Sequence, residues 1–370
     1  MRSRRSLLLV AAGLALAVPL ATLVPTGMIV SKEQPILTLV QVQEETARGV
    51  VHITGYVKNP AGIKVRRSMG SGFVVLEDGK LMIVSNNHVV AGMEELWAST
   101  AEKTIPPFEL GVIGYSPFLD LALLEIKNPP TGPDGTVGAG GLVPVRLGNS
   151  DALKADDPVI AIGSPLGIRF LAFQGVVTKP DEMPSNTTHP SLIISDVKLN
   201  LGNSGGPLFT PRGEVVGVNT LIAGPNPISF SIPINNLKAV LPRLKLGGEI
   251  KHAMAGMGIG NSWEMNPLDY KNAKIEPPKR LGVLVVQVVP ASPAAKAGIA
   301  PGDLVLDATL KDVNVSVTDA KAFMKLMMLQ ALPDDELTLL VLRGENQYHT
   351  MRLRLTLRPA PSPGEDESDD

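Results

Sequence analysis

The sequence predicts a mainly β protein in which β-barrels or sandwiches, two at this length, are followed by a mixed α/β domain. Residues 31–248 consist mostly of brief apolar runs bounded by Gly, Pro, Asn and Asp, the pattern of short strands. Gly247 and Gly248 mark a boundary, and strand-like and helical spacings alternate over residues 252–358. A chain of 370 residues exceeds one core, so two or three globular units are expected.

The strands of the first domain are predicted from its apolar runs. These runs are Val50–Ile53, Gly72–Val75, Leu81–Val84, Leu121–Leu124, Val159–Ile162 and Val215–Val218. A helix is predicted over Ile234–Leu244, where leucine and valine recur at helical spacing. The domain is therefore expected to be almost all β, with one helix at its end.

The second domain is predicted to mix strands with a helix. Its expected strands are Leu284–Val289, Leu304–Leu306, Leu337–Leu342 and the strictly alternating segment Met351–Leu357. Thr318 is the expected cap of a helix that presents Phe323, Leu326 and Met327 on one face. Residues 359–370 are rich in proline and then in acidic side chains, so a solvated, disordered tail is expected.

The first thirty residues have the composition of an export signal. Arg2, Arg4 and Arg5 precede an apolar run that extends to Val30, and Ala15–Ala17 is a candidate cleavage site. The adjacent arginines also fit a twin-arginine signal, so the export route stays open. If the segment is not cleaved, it is long enough to span a bilayer. We expect a periplasmic protein, either released or membrane-anchored.

Composition excludes several classes of function. The net charge of −2 offers no clustered excess of Lys and Arg for nucleic acid, so no nucleic-acid partner is expected. The chain has no cysteine, which rules out disulfides, thiolate catalysis and Cys-based metal sites. No metal or other cofactor is predicted.

The strongest chemical signal is the seven-residue motif Gly202–Leu208, which reads Gly-Asn-Ser-Gly-Gly-Pro-Leu. Acyl transfer by serine needs a hydroxyl on a tight turn and backbone N–H groups that stabilise the oxyanion. Glycines on both sides of Ser204 permit such a turn. We predict Ser204 as the nucleophile and the turn Gly202, Asn203 and Ser204 as the oxyanion hole, with the N–H groups of Gly202 and Ser204 as donors.

A serine nucleophile needs a base, and the base needs a carboxylate. His88 follows a predicted strand and is the best placed of the five histidines, whereas His52 lies inside an apolar strand. Asp120 opens a buried strand, where a charge is costly unless it is paired. The chain order His88, Asp120, Ser204 within one β-rich domain predicts a catalytic triad.

With these motifs the chain resembles the HtrA (Deg) family of envelope serine proteases. Three further motifs support the resemblance: Gly70–Phe73, Gly163–Gly167 and Pro301–Val305. The resemblance implies a chymotrypsin-like double β-barrel protease domain over residues 31–248 and a PDZ domain over residues 252–358. It also implies ATP-independent and metal-independent endopeptidase activity on unfolded, damaged or regulatory proteins.

The resemblance implies two binding sites in addition to the triad. The segment with Leu199 and the segment with Ile228 and Ser229 are expected to wall the primary substrate pocket. Because neither segment contains an acidic residue, the pocket should favour small aliphatic side chains. The loop formed by Gly256, Met257, Gly258 and Ile259 is expected to bind the C-terminal carboxylate of a peptide.

Two departures and one alternative remain open. No aromatic residue precedes Tyr56, so the homotrimer typical of the family would need an aliphatic contact. Residues 178–190, which correspond to the family's sensor loop, contain Lys179 but no arginine, so the activation switch does not transfer. The alternative function is a catalytically silent chaperone or PDZ adaptor. The presence of all three predicted triad residues, His88, Asp120 and Ser204, argues against this alternative.

Overall fold

A computed structural model describes residues 35–129, 141–164, 170–184, 189–223 and 228–359. The predicted export signal, the tail beyond Pro359 and Pro165–Gly167 of one family motif lie outside these ranges. Both β-barrels and the C-terminal domain belong to one unit that begins at Ile36. No helix among the described residues is long and apolar enough to cross a membrane.

The first barrel is a closed ring of six strands. The ring order is β5-β4-β1-β2-β3-β6, and β5 pairs with β6 to close it. Its strands are β1 (Val50–Lys58), β2 (Lys64–Glu77), β3 (Lys80–Ser85), β4 (Glu95–Ser99), β5 (Phe108–Ser116) and β6 (Leu121–Ile126). Alternate side chains of these strands fill a core that includes Val51, Ile53 and Ile83.

The second barrel repeats this plan. Its ring order is β11-β8-β9-β10-β13-β12, closed by β11 against β12, and the short strand β7 is added at β12. Its strands are β7 (Arg146–Leu147), β8 (Pro158–Gly163), β9 (Leu171–Glu182), β10 (Leu192–Ser195), β11 (Pro207–Phe209), β12 (Glu214–Ala223) and β13 (Ile228–Pro233). Two such closed six-stranded barrels are the chymotrypsin-like fold, as the sequence predicted.

Among the residues that the structure describes, three helices and a 3₁₀ turn accompany the barrels: α1 (Leu39–Thr46), α2 (Asn87–Val90), α3 (Ile234–Lys245) and the turn Ser150–Ala152. The predicted helix at the end of this domain is confirmed as α3. Its buried residues Leu237, Val240 and Leu244 belong to the same core cluster as Phe73 and Phe209, which come from the two barrels. The helix thus packs across both barrels.

The C-terminal domain is a sheet with short helices around it, in keeping with a PDZ module. After β14 (Gly248–Glu249), which extends the first barrel at β5, a two-stranded sheet joins β15 to β22 and a larger sheet has the order β16-β17-β18-β20-β21, with β19 on β18. The strands are β15 (Ala253–Met254), β16 (Met257–Asn261), β17 (Val283–Val288), β18 (Leu304–Leu310), β19 (Val313–Ser316), β20 (Glu336–Arg343), β21 (Gln347–Arg354) and β22 (Thr356–Leu357). The helices are α4 (Pro267–Ala273), α5 (Pro293–Lys296) and α6 (Ala320–Lys325), and α6 continues as a π-helical turn, Leu326–Gln330.

Two local expectations differ from the structure. The cap of α6 is Asp319, whose Oδ1 accepts a hydrogen bond from the N–H of Ala322, and not Thr318. Ionised carboxylates accept such bonds strongly, which favours the aspartate one position later. The alternating segment Met351–Leu357 is split between β21 and β22, and Leu357 at its end is exposed.

Candidate active site

His88 and Asp120 are brought together by the pairing of β3 with β6. These strands are antiparallel neighbours with Ser85 opposite Ala122, so the segment that leaves β3 meets the segment that enters β6. His88 lies in α2, directly after β3, and Asp120 lies directly before β6. The two side chains therefore meet at one edge of the first barrel.

The carboxylate of Asp120 makes three hydrogen bonds. Its Oδ2 lies 2.8 Å from Nδ1 of His88 and accepts from Oγ1 of Thr220 at 2.6 Å. Its Oδ1 accepts from the backbone N–H of His88 at 2.9 Å. The backbone carbonyl of Asp120 accepts from Nδ2 of Asn86 at 2.8 Å. These contacts fix both the carboxylate and the imidazole ring in orientation.

The pair is electrostatically suited to hold a proton on the imidazole. Burial alone would raise the pKa of Asp120, but the neighbouring His88 ring and the hydrogen bonds from His88 and Thr220 hold it below its ordinary value. The Asp120 side chain is 14% exposed, whereas that of His88 is 48% exposed. The carboxylate is thus shielded while the base faces the solvent side, where a substrate would bind.

Ser204 reaches this pair through Thr220. The hydroxyl of Ser204 donates to the backbone carbonyl of Thr220 at 3.3 Å, and the side chain of the same threonine donates to Asp120. A distance of 3.3 Å is long for an O–H···O bond, so the Ser204 hydroxyl is held weakly and can turn to another acceptor. The structure thereby links Ser204 through Thr220 to the carboxylate that contacts His88.

The turn that carries Ser204 is fastened to the first barrel by Ser71. The N–H of Ser71 donates to the carbonyl of Ser204 at 2.8 Å, and its hydroxyl donates to the carbonyl of Gly202 at 2.7 Å. The carbonyl of Ser71 in turn accepts from the hydroxyl of Ser85 at 2.7 Å. A residue of β2 in one barrel therefore fixes the turn that carries Ser204 in the other.

Two glycines give this turn its shape. The N–H of Asn203 bonds to the carbonyl of Asn200 at 3.0 Å and Gly202 has φ +100°, which is the positive third-position φ of a type II turn. Gly205 has φ +81°, and a Cβ there would lie 2.2 Å from Oγ of Ser85. Both positions therefore require glycine.

The predicted pocket residues lie on two segments in contact. The hydroxyl of Ser229 in β13 donates to the carbonyl of Val197, two residues before Leu199. Leu199 and Ser229 are buried, whereas Ile228 is 48% exposed. The segment before the nucleophile turn and the start of β13 thus lie side by side, and Ile228 is the accessible member.

The predicted carboxylate-binding loop is mostly strand. Met257, Gly258 and Ile259 form the first part of β16, paired to β17, because their backbone groups complete that ladder. Gly256 alone lies in the preceding turn, with φ +77°, and its carbonyl accepts from the hydroxyl of Ser292 at 3.1 Å.

The sensor-loop region contacts the PDZ helix through a carboxylate. Asp181, at the end of β9, lies 2.9 Å from Nζ of Lys321 and 2.8 Å from Nζ of Lys325, both on α6. Lys179 pairs instead with Glu182 on the same strand. In these ion pairs between the second barrel and the PDZ domain, the barrel therefore supplies the carboxylate and the PDZ helix supplies the two lysines.

Thr220, Asn86 and Ser71 contact the site although motif reasoning assigned them no role. Asn86 stands two positions before His88, and Ser71 lies inside the Gly70–Phe73 motif, so both were within reach of a sequence argument. Thr220 lies in β12, two residues after the apolar run Val215–Val218, and its contact with Asp120 depends on a pairing between segments 100 residues apart.

Comparison with known proteins agrees with this geometry. The model of the trypsin-like peptidase domain matches residues 70–218, and that of the PDZ domain matches residues 256–352. A probable periplasmic serine endoprotease, DegP-like, from Pseudomonas fulva is 36% identical over 254 residues, which cover 68% of this chain and 49% of the relative. A protein of the same description from Hahella chejuensis is 35% identical over 269 residues, covering 72% and 53%.

The chain is similar to serine proteases of the HtrA (Deg) family. It spans about half the length of these curated relatives. Among solved structures, the HtrA-type protease AlgW with a decapeptide matches 88% of this chain and 100% of that chain at TM-score 0.68 and 22% identity. The serine endoprotease from Yersinia pestis matches 87% and 98% at TM-score 0.60 and 24% identity. These likenesses support the HtrA fold.

Proposed function

We propose that this chain is a serine endopeptidase of the HtrA family that hydrolyses peptide bonds in unfolded or regulatory proteins of the cell envelope. The observation that carries the proposal is the pair of hydrogen bonds between His88 and the Asp120 carboxylate. Ser204 is joined to the same carboxylate through Thr220. Such an arrangement is suited to activate a serine hydroxyl for acyl transfer.

In the proposed reaction, the Ser204 oxygen attacks the scissile carbonyl carbon while its proton passes to Nε2 of His88. Asp120 holds Nδ1–H and stabilises the imidazolium that forms. The proton then passes to the leaving amine as the C–N bond breaks, leaving an ester at Ser204. Water attacks this ester with His88 again as base, which releases the acid and restores the serine.

The N–H groups of Gly202 and Ser204 would stabilise the oxyanion of both tetrahedral intermediates. The type II turn at Asn200–Asn203 supports this role, because the carbonyl of Gly202 is held by Ser71 and so is kept away from the substrate side. Each such donor is worth about 3 kcal/mol in the transition state.

For specificity we propose a small aliphatic residue before the cut, contacted by Leu199 and the exposed Ile228. Profiling with a peptide library measures this preference. Cleavage mainly after Lys or Arg would contradict the assignment. We further propose that the PDZ domain binds peptide C-termini along β16, an edge strand of the larger sheet that begins next to Gly256.

We propose export to the periplasm, supported by the N-terminal Arg and apolar segments and by relatives described as periplasmic. Sequencing the N-terminus of the exported protein distinguishes a cleaved form from an anchored one. A homotrimer is proposed through aliphatic contacts of Ile36 and Val40, which are 77% and 56% exposed. Sedimentation of the Ile36→Ser/Val40→Ser variant tests this, because a trimer unaffected by the change would refute that contact.

The decisive experiment for activity is casein digestion by the purified protein, with and without a peptide that has a hydrophobic C-terminus. We expect Ser204→Ala to abolish digestion and Ser316→Ala, an exposed serine in β19, to leave it unchanged. Equal activity of Ser204→Ala and the unmodified chain would refute the triad. No digestion by any form, with casein aggregation suppressed, would favour the chaperone alternative.

A further inference from the structure

The turn that presents Asp120 to His88 is conformationally strained. Asp120 has φ +48°, a left-handed conformation that non-glycine residues adopt only at some cost in free energy. Its own N–H makes a weak bond, 3.3 Å, to the carbonyl of Pro117. The turn from Ser116 to Asp120 therefore depends on outside contacts to keep the carboxylate in place.

His252 supplies such contacts from the linker that enters the PDZ domain. Its Nε2 lies 2.8 Å from the hydroxyl of Ser116, and this same oxygen accepts from the N–H of Leu119 at 3.1 Å. The ring meets Phe118 edge to face, with centroids 5.4 Å apart. His252 is 1% exposed, so it is enclosed against Ser116 and Phe118 of the turn that carries Asp120.

The backbone of His252 is bound to the PDZ domain. It directly precedes β15, which pairs with β22, and its carbonyl accepts from the N–H of Arg358 at 2.8 Å. The guanidinium of Arg358 lies over the Phe118 ring, 4.7 Å from its centroid. His252 and Arg358 thus link the two-stranded sheet β15–β22 to the turn that carries Asp120.

The π-helical turn of the PDZ domain completes this joint. Met328 is fully buried in the core cluster of the barrels, and its carbonyl accepts from Nη2 of Arg243 in α3 at 3.0 Å. The cations Arg243 and Arg358 act on the pKa of the His252 ring in the same direction as burial, whereas a backbone hydrogen bond with Met328 acts against them. Burial and these two charges lower the pKa of His252 to about 4, so the ring is neutral at the pH of ordinary assays.

We propose that His252 is a positioning residue for the proposed reaction. Its contacts couple the position of the PDZ domain to the orientation of the Asp120 carboxylate. The inference rests on the proposed function, since Asp120 must be the acid of the triad for its orientation to affect the rate. His252 does not touch substrate; it acts through Ser116 and the turn. A displacement of about 1 Å at a reacting group can cost a hundredfold in rate.

The test compares His252→Ala, His252→Gln and Ser116→Ala with the unmodified chain on an aliphatic peptide substrate. We expect His252→Ala to lower kcat by about ten- to a hundredfold with less than about a twofold change in KM. His252→Gln keeps a side-chain group that can bond to Ser116 and should recover most of kcat. Ser116→Ala should lower kcat similarly, and the double variant His252→Ala/Ser116→Ala should lose no more than either single one.

The pH–rate profile supplies a readout that a merely structural role would leave alone. An imidazole whose carboxylate partner is displaced binds its proton less tightly, so the acidic limb of kcat/KM should move to lower pH in His252→Ala. His349→Ala, a histidine change in β21 of the PDZ sheet, is the matched control and should leave the limb in place. Thermal melting identifies any variant that is unfolded.

The proposal is overturned if folded His252→Ala or Ser116→Ala keeps kcat and the acidic limb of the unmodified chain. It is also overturned if the two losses add fully in the double variant. Should His252→Ala not fold, His252→Gln and Ser116→Ala decide together: the proposal requires that Ser116→Ala lowers kcat and that His252→Gln, which leaves the Leu119 bond to Ser116 intact, lowers it less. If Ser204→Ala digests casein, the proposed function fails instead, which separates the two outcomes.

Discussion

The pH dependence of stability should carry the signature of buried His252. The pKa of this residue is lowered from 6.5 to about 4 in the folded protein by burial and by the charges of Arg243 and Arg358. Between these two values the unfolded chain binds a proton that the folded chain does not, so the free energy of unfolding must decrease as pH falls from 6.5 towards 4. From these pKa values, the His252 contribution should be about 2 kcal/mol smaller at pH 5 than at pH 7.

Urea unfolding at pH 7 and pH 5 measures this change, with His252→Gln as the reference variant. Glutamine does not titrate, so the variant should lose about 2 kcal/mol less over the same interval, whatever its absolute stability. Asp120 does not confuse the comparison: its pKa is lowered, so its contribution to stability is present above its ordinary value near 3.8 and is lost only below it. Equal losses in both proteins would refute the reasoning.

Further predictions concern the contacts of the site. Thr220→Val removes a donor to Asp120 and should reduce kcat about tenfold with KM nearly unchanged, as steady-state kinetics would show; an unchanged kcat would mean that the 2.6 Å bond is dispensable. Gly205→Ala places a Cβ 2.2 Å from Ser85 at positive φ, and should abolish activity and lower the melting temperature. Gly213→Ala, at φ +69° but with nothing nearer than 3.4 Å, should cost about 1 kcal/mol in denaturant unfolding and keep activity. If both glycine variants behaved alike, the close contact at Gly205 would have no role.

Much of the fold could be predicted from the sequence because the barrel strands are short apolar runs with a clear boundary at each end. Runs such as Val159–Ile162 are bounded by turn residues and lie inside β8, and the helical spacing after Ile234 gives α3. The register between strands was not accessible, because it depends on long-range pairing such as Ser85 with Ala122.

The site was predictable where chemistry demands a residue type. Ser204, His88 and Asp120 were predicted from the needs of acyl transfer, from their chain order and from the family motifs. Their roles stay predictions, and the structure joins Ser204 through Thr220 to the carboxylate that contacts His88. Thr220 and His252 could not be found this way, because a threonine within a strand or a histidine in a linker has many ordinary uses. Only the fold shows that Thr220 donates to the Asp120 carboxylate and that His252 contacts Ser116 in the turn before it.

The limits of local reasoning are clearest in the PDZ domain. Gly256–Ile259 has the composition of a loop, yet three of its residues join β16 because the partner strand β17 supplies hydrogen bonds. The helix cap differs by one position for a similar reason. Thr318 and Asp319 can both cap a helix, and tertiary placement selects the aspartate.

The central claim is that Ser204 is a nucleophile activated by His88 and Asp120. Covalent labelling with a fluorophosphonate, followed by mass spectrometry of the digested chain, tests it most directly. In the presence of a peptide with a hydrophobic C-terminus, we expect one phosphonyl group on Ser204, formed with loss of fluoride, and labelling at least about a hundredfold slower in His88→Ala. A label on another serine, or a rate that His88→Ala leaves unchanged, would contradict the account.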